Sequence, residues 1–125
     1  MNILISNTSE IPLYKQIKDQ IKDAILKEEL SEGDPLPSIR AFANDLSVSV
    51  LTVRRVYDEL EREGFIVSQV GIGTFVSASN IELLRESKRR IVEQKMQYMI
   101  QTAKSLKISK DELNAMMDIL YDEIT

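Results

Sequence analysis

The 125-residue chain contains no cysteine and no histidine. Their absence removes thiol nucleophiles, disulfides, Cys/His zinc sites and imidazole acid–base chemistry together. A metal could be held only by oxygen ligands, and no metal site is expected. No P-loop, dinucleotide fingerprint or nucleophile elbow occurs, so the chain is not read as an enzyme and no cofactor is assigned. No apolar run approaches the roughly 20 residues of a membrane span. Met1-Asn2-Ile3-Leu4-Ile5-Ser6 is too short for a signal peptide and lacks its cationic start. A cytoplasmic protein without a membrane partner is expected. Positive charge is also scarce: sixteen Lys and Arg face twenty Asp and Glu, a formal net charge of −4. Bulk charge therefore offers no attraction to nucleic acid, and any polyanion contact must come from a local patch.

What is present is 43% apolar and 29% charged, the profile of one soluble globular unit with room for a small appendage. Leu13, Ile17, Ile21, Ala24 and Ile25 recur by threes and fours, which predicts a first helix over about 13 to 29 with Pro12 at its start. Gly33, Pro35 and Pro37 then impose a loop. Ser38 is placed to cap a short second helix whose inner face is Ile39, Phe42, Ala43 and Leu46. Ser49 caps a third helix carrying Val53, Val56, Tyr57 and Leu60 on one side and stopped by Gly64. Phe65-Ile66-Val67-Ser68 and Thr74-Phe75-Val76-Ser77, separated by Gly71-Ile72-Gly73, read as a hairpin of two short strands.

Beyond Ser77-Ala78-Ser79-Asn80 there is no further Gly or Pro, and two long helical patterns follow. Residues 1–77 and 78–125 are accordingly expected to be separate parts. The first pattern, about 81 to 104, is weakly amphipathic; its best stripe contains Leu84, Ile91, Val92, Met96, Met99 and Ala103. In the second, Ser109 and Glu112 form a capping box ahead of Leu113, Met116, Met117, Leu120, Tyr121 and Ile124. An antiparallel hairpin of these two helices is too small to bury two apolar stripes by itself, so it needs a partner surface. The methionines read as adaptable interface filler in preference to a soft ligand pocket. Arg85, Lys88, Arg89 and Arg90 read as a solvated helix face in preference to a DNA-contacting stripe.

Two short helices joined by a tight turn, with a hairpin behind them, have helix-turn-helix geometry with a wing. The charge distribution agrees locally. Residues 1–77 are acidic, with eight Lys and Arg against twelve Asp and Glu, yet the stretch 40–57 holds Arg40, Arg54 and Arg55 against Asp45 alone. The acidic residues gather on the first helix and on Asp58, Glu59, Glu61 and Glu63. A third helix entering a major groove by its N-terminal half would bring basic residues to DNA and carry its acidic end away.

The run Leu36-Pro37-Ser38-Ile39-Arg40, then Ala43, Leu46, Val48-Ser49, Thr52-Val53, Tyr57, Leu60, Gly64 and Gly71-Ile72-Gly73-Thr74-Phe75-Val76 resembles the winged-helix domain of GntR-type bacterial transcription regulators. The resemblance spans about 11 to 77. Glu29 departs from it mildly, standing where many members have Gly. The short tail resembles that of the small YtrA-like subgroup, whose two-helix C-terminal region serves dimerisation and replaces a large effector-binding domain. The implied fold is mostly α with a small β-hairpin: an N-terminal winged helix-turn-helix and a C-terminal two-helix dimerisation hairpin. The implied function is sequence-specific DNA binding, as a homodimeric repressor on a pseudo-palindromic double-stranded operator; no small-molecule effector is assigned.

Carried over residue by residue, the resemblance puts Arg40, Thr52 and Arg54 at DNA-contacting positions and Gly71 and Gly73 in a wing beside the minor groove. Helical geometry adds Arg55. Ser38 and Ser49 read first as N-caps, with hydroxyls near enough to helix starts to meet a phosphate. Two departures matter. Val50-Leu51 stands where the family usually has Arg or another polar residue, so this surface offers apolar contact to thymine methyls, or, in the rival reading, makes the domain a protein-binding adaptor without DNA. Ile72 stands where Arg or Lys is frequent in the wing. Dimerisation is assigned to Val92, Met96, Met99, Leu113, Met116, Met117, Leu120 and Ile124.

Overall fold

The computed structural model describes residues 2–77 and 81–124, with only the backbone of 81 and 82. The junction expected at 78–80 lies largely outside the described residues. The chain divides into two compact units, residues 1–87 and 88–125, and the division falls inside a helix.

In the first unit, α1 (Leu13–Leu26) starts at Pro12 and buries Ile17, Ile21, Ala24, Ile25 and Leu26. It ends earlier than its apolar pattern suggests because Glu28 turns left-handed (φ 62°), which sends the N–H groups of Glu29 and Leu30 back to the Ala24 carbonyl at 2.9 and 3.1 Å. The short strand β1 (Pro35–Leu36) follows, then α2 (Ile39–Leu46) and α3 (Val50–Arg62). Strands β2 (Ile66–Gln69) and β3 (Gly73–Val76) form the expected hairpin. The sheet is antiparallel in the order β1-β3-β2, pairing Leu36 with Thr74 and Ile66 with Val76. The sequence reading took β1 for loop because of its prolines. A two-residue strand at a sheet edge tolerates Pro35, and the Gly33 N–H and Asp34 carbonyl complete the pairing through Val76 at 2.9 Å each.

The core lies where α1 crosses α3: Ile17, Ile21, Val53, Val56, Leu60 and Phe65 are fully buried. α3 ends as the sequence requires, with Gly64 at φ 85° and the Phe65 N–H returning to the Leu60 carbonyl at 2.9 Å. An N-terminal arm, unread in the sequence, is clasped to α1 by two glutamine amides. Gln20 both accepts from the Leu4 N–H (2.8 Å) and donates to its carbonyl (2.7 Å), and Gln16 does the same to Ser6 at 2.9 and 3.0 Å.

Between α2 and α3, Ser47 occupies the left-handed region (φ 56°, ψ 44°), where a Cβ is strained. Ser47→Gly is expected to stabilise the domain. Relief of about 1–2 kcal/mol of strain, less up to about 1 kcal/mol for the extra freedom of unfolded glycine, leaves a net gain near 0.5 kcal/mol and a thermal midpoint raised by roughly 2–4 °C. Calorimetry checks this; a lowered midpoint would mean that the serine side chain makes a stabilising contact.

The second unit holds most of α4 (Ile81–Ser105) and all of α5 (Lys110–Glu123). Lys107 at φ 60° and an Ile108 N–H bond to the Ala103 carbonyl (2.9 Å) close α4, while Ser109 and Glu112 form the expected capping box. α4 and α5 are the two helices that the sequence predicts here, and α5 buries no residue in the single chain. Leu113 is half-buried, while Met116, Met117, Leu120 and Ile124 of its apolar stripe stay open to solvent.

Candidate nucleic-acid interface

The helix-turn-helix is built from α2, the Ser47-Val48-Ser49 turn and α3. Both expected caps are made: Ser38 Oγ accepts from the Ala41 N–H at 3.1 Å, and Ser49 Oγ from the Thr52 N–H at 3.0 Å. Thr52 also shares a hydroxyl hydrogen bond with Ser49 at 2.8 Å, so the two residues form one polar knot at the start of α3. α2 is locked to α3 by Tyr57, whose hydroxyl donates to the Pro37 carbonyl at 2.7 Å and whose ring lies 6.1 Å from that of Phe42. Burial pushes the Tyr57 hydroxyl well above the ordinary tyrosine range, which keeps it a neutral donor. This bond fixes the residue just before the Ser38 cap, and through it the start of the helix that carries Arg40.

Since Val53, Val56, Tyr57 and Leu60 face the core, helical periodicity puts Leu51, Arg54, Arg55, Asp58 and Arg62 outward. Arg40 and Arg54 are exposed and form no ion pair with a described residue. Arg55 differs from them: its Nε donates to Glu59 Oε2 at 2.9 Å and its guanidinium lies 3.5 Å from the centre of the Tyr14 ring. Val50 is 38% exposed and Leu51 74%, so the first turn of α3 presents an apolar surface.

The acidic end of α3, read from sequence as the part that leaves the groove, is largely structural. Glu59 and Glu63 bind Lys18 at 3.0 and 2.6 Å, and Glu63 also meets Lys22 at 3.4 Å. Burial works against the charge of Lys18, but hydrogen bonds to Glu63 and Glu59 outweigh it and raise the ammonium above its ordinary range. Lys18, and then Arg55, hold the Glu59 carboxyl below the usual carboxylate range. Glu61 Oε1 accepts from the Ser68 N–H at 3.0 Å and ties the base of the wing to α3.

The wing tip carries no charge. Gly71 (φ 76°) and Gly73 (φ 145°) take conformations that L side chains rarely adopt, while Val70 and Ile72 point into solvent. Any DNA contact here rests on backbone and apolar groups. Tyr14 and Lys18, both tied to the candidate interface, escaped the sequence reading; Glu59 entered it only as one of the acidic residues at the far end of α3, and Tyr57 only as a core and resemblance residue. Their partners lie far along the chain, at sequence separations of 41 for Lys18–Glu59 and 20 for Tyr57–Pro37.

Among the described residues no helix is long and apolar enough to cross a membrane, and no group of acidic side chains is placed to hold a metal. Three short helices and a protruding hairpin, which the strand between the first two helices extends to a three-stranded sheet, define a winged helix-turn-helix protein. The chain belongs to the bacterial regulatory proteins of the gntR family, whose pattern matches residues 13–76. It is YtrA-like, being 37% identical over 98 residues to the HTH-type transcriptional repressor YtrA of Bacillus subtilis (strain 168), across 78% of this chain and 75% of that protein. The crystal structure of a transcriptional regulator from Oenococcus oeni matches with a TM-score of 0.79 at 26% identity, covering 94% of this chain and 97% of that one. AraR(DBD) in complex with operator ORX1 matches with a TM-score of 0.54 at 25% identity, covering 62% of this chain and 96% of that one.

Proposed function

We propose that the protein is a sequence-specific DNA-binding repressor that acts in the cytoplasm as a homodimer on a pseudo-palindromic operator. The observation that carries DNA binding is the selective sparing of cations. In residues 2–77 every lysine and Arg55 is held by a carboxylate, whereas Arg40 in the first turn of α2, Arg54 in the first half of α3 and Arg62 at the far end of α3 are exposed without an ion pair to a described residue. An acidic domain that keeps Arg40 and Arg54 free near the starts of the two helices that a helix-turn-helix aims at a groove has a local site for polyanion contact. The likeness to AraR(DBD), whose structure includes an operator, and to a repressor named YtrA supports the same reading.

The homodimer rests on α5. A 14-residue helix that buries nothing is marginal as an isolated helix in water. A second copy covering Leu113, Met116, Met117, Leu120 and Ile124 of α5, with Val92, Met96 and Met99 of α4, supplies the missing burial. The parts then work as proposed for 1–77 and 78–125: a reading head and a coupling element.

The test is selection of duplexes from a random pool by the full-length protein, followed by footprinting. The expected result is two inverted half-sites about one or more helical turns apart, with affinity falling steeply as salt rises. Protection of one asymmetric half-site at monomer stoichiometry would overturn the dimer, and binding indifferent to salt would overturn the phosphate contacts.

A further inference from the structure

The contact between α1 and α3 carries a run of alternating charges that ends in the solvent. Lys22 Nζ lies 3.4 Å from Glu63 Oε1, Glu63 Oε2 2.6 Å from Lys18 Nζ, Lys18 Nζ 3.0 Å from Glu59 Oε1, and Glu59 Oε2 2.9 Å from Arg55 Nε. Three cations alternate with two carboxylates, which leaves one surplus positive charge. The Lys18 and Glu59 side chains are only 15% and 21% exposed, whereas Arg55 is 58% exposed. The surplus is therefore accessible at the arginine end.

Arg55 is held on two sides and left open on a third. Glu59 takes its Nε–H, and Tyr14 takes one face of the guanidinium at 3.5 Å. The ion pair to Glu59 uses Nε alone, and the two terminal nitrogens present a planar fork of N–H donors that matches two phosphate oxygens. Because both restraints exist before any ligand arrives, little side-chain freedom remains to be lost on binding. Glu59 by itself would repel a phosphate next to Arg55. Lys18, bonded to its other oxygen, offsets that repulsion. Arg55 lies on the outward side of α3, one turn beyond Leu51, and Tyr14 belongs to a first turn of α1 that holds no acidic residue.

We propose that Tyr14, Glu59 and Lys18 are positioning residues that hold Arg55 as a preset fork for one backbone phosphate beside the groove that α3 enters. This rests on the DNA-binding reading above and adds to it what makes Arg55 fit for that contact. Lys18 then influences DNA affinity without touching DNA, through the charge it neutralises.

The experiment titrates full-length protein with a labelled random-sequence duplex of about 30 base pairs over a salt series from roughly 25 to 200 mM, with circular dichroism melts confirming that each variant is folded. Arg55→Ala is expected to reduce the slope of log affinity against log salt by about 0.9. Tyr14→Leu should weaken binding about two- to fivefold with the slope kept, and Tyr14→Phe, which retains the ring, should match the wild type. Lys18→Met should weaken binding, and Glu59→Gln added to Lys18→Met should restore it by removing the carboxylate charge left without its lysine. A purely structural ion pair gives no such rescue. An unchanged slope in Arg55→Ala overturns the fork; weakened binding in Tyr14→Phe, or failure of Glu59→Gln to rescue Lys18→Met, overturns the positioning roles. Wild-type protein that binds no duplex at the lowest salt overturns the DNA reading itself, a result distinct from a wild type that binds while Arg55 is indifferent.

Discussion

Leu120→Asp is expected to convert the protein from a dimer to a monomer at micromolar concentration while leaving the winged helix-turn-helix folded. Leu120 is 48% exposed in the single chain and sits in the middle of the α5 stripe, between Met116 and Met117 on one side and Ile124 on the other. In a dimer that covers this stripe, the aspartate must be buried without a partner or the interface must open. An uncompensated buried charge costs several kcal/mol, so the dissociation constant should rise by at least about a hundredfold, equivalent to roughly 3 kcal/mol. None of the buried core residues of the first unit lies on α5, so its thermal unfolding should persist. Sedimentation equilibrium reads the first effect and circular dichroism the second. A Leu120→Asp protein that is still dimeric would place the interface elsewhere. Operator affinity should fall with the dimer, because two half-sites held by one dimer gain from effective concentration and two separate monomers do not.

The wing, the two capped helices and their inner faces were legible because each is specified within about a dozen residues. Ser38 and Ser49 cap locally, Gly64 ends α3 locally, and Phe42, Val53, Tyr57 and Leu60 recur at the period of a helix. Illegible features depend on partners distant in the chain or on a single dihedral angle. Strand β1 exists only because β3 returns beside it, and nothing in Asp34-Pro35-Leu36-Pro37 announces a strand. The early end of α1 follows from the left-handed Glu28, a residue type that gives no stop signal; the departure noted from sequence was its neighbour, Glu29. The clasp of Gln16 and Gln20 on the N-terminal arm resembles two solvated polar residues until the arm is seen to lie against α1.

The candidate site was legible to the same degree. Arg40, Thr52 and Arg54 could be marked from their places in the pattern, and the structure leaves both arginines exposed. Arg55 was marked from helical geometry, but its restraint by Tyr14 and Glu59 needed α1 and α3 to be brought together. Glu59 illustrates the general point. From sequence it is one of four acidic residues on a helix end; in the fold it bridges a lysine and an arginine.

Val50→Arg is the second large effect expected, because it changes the chemistry of the first turn of α3. Val50 follows the Ser49 cap, is 38% exposed, and is succeeded by the still more exposed Leu51. A valine can offer a base pair only apolar contact, which favours a thymine methyl at the facing position and forgoes a polar contact there. The substitution should fold normally, since residue 50 is outside the core and arginine is a good helix former. If the new guanidinium reaches the backbone, affinity for every duplex should rise and the salt slope should steepen by about 0.9; if it reaches a guanine edge, preference should shift at one position by roughly 1–3 kcal/mol. Binding to a panel of operator variants across a salt series separates the two outcomes, and either places the first turn of α3 at the DNA. A folded Val50→Arg protein with unchanged affinity, slope and base preference would place residue 50 outside the groove and leave Val50 and Leu51 as an apolar surface for a protein, the adaptor reading that the free Arg40 and Arg54 argue against.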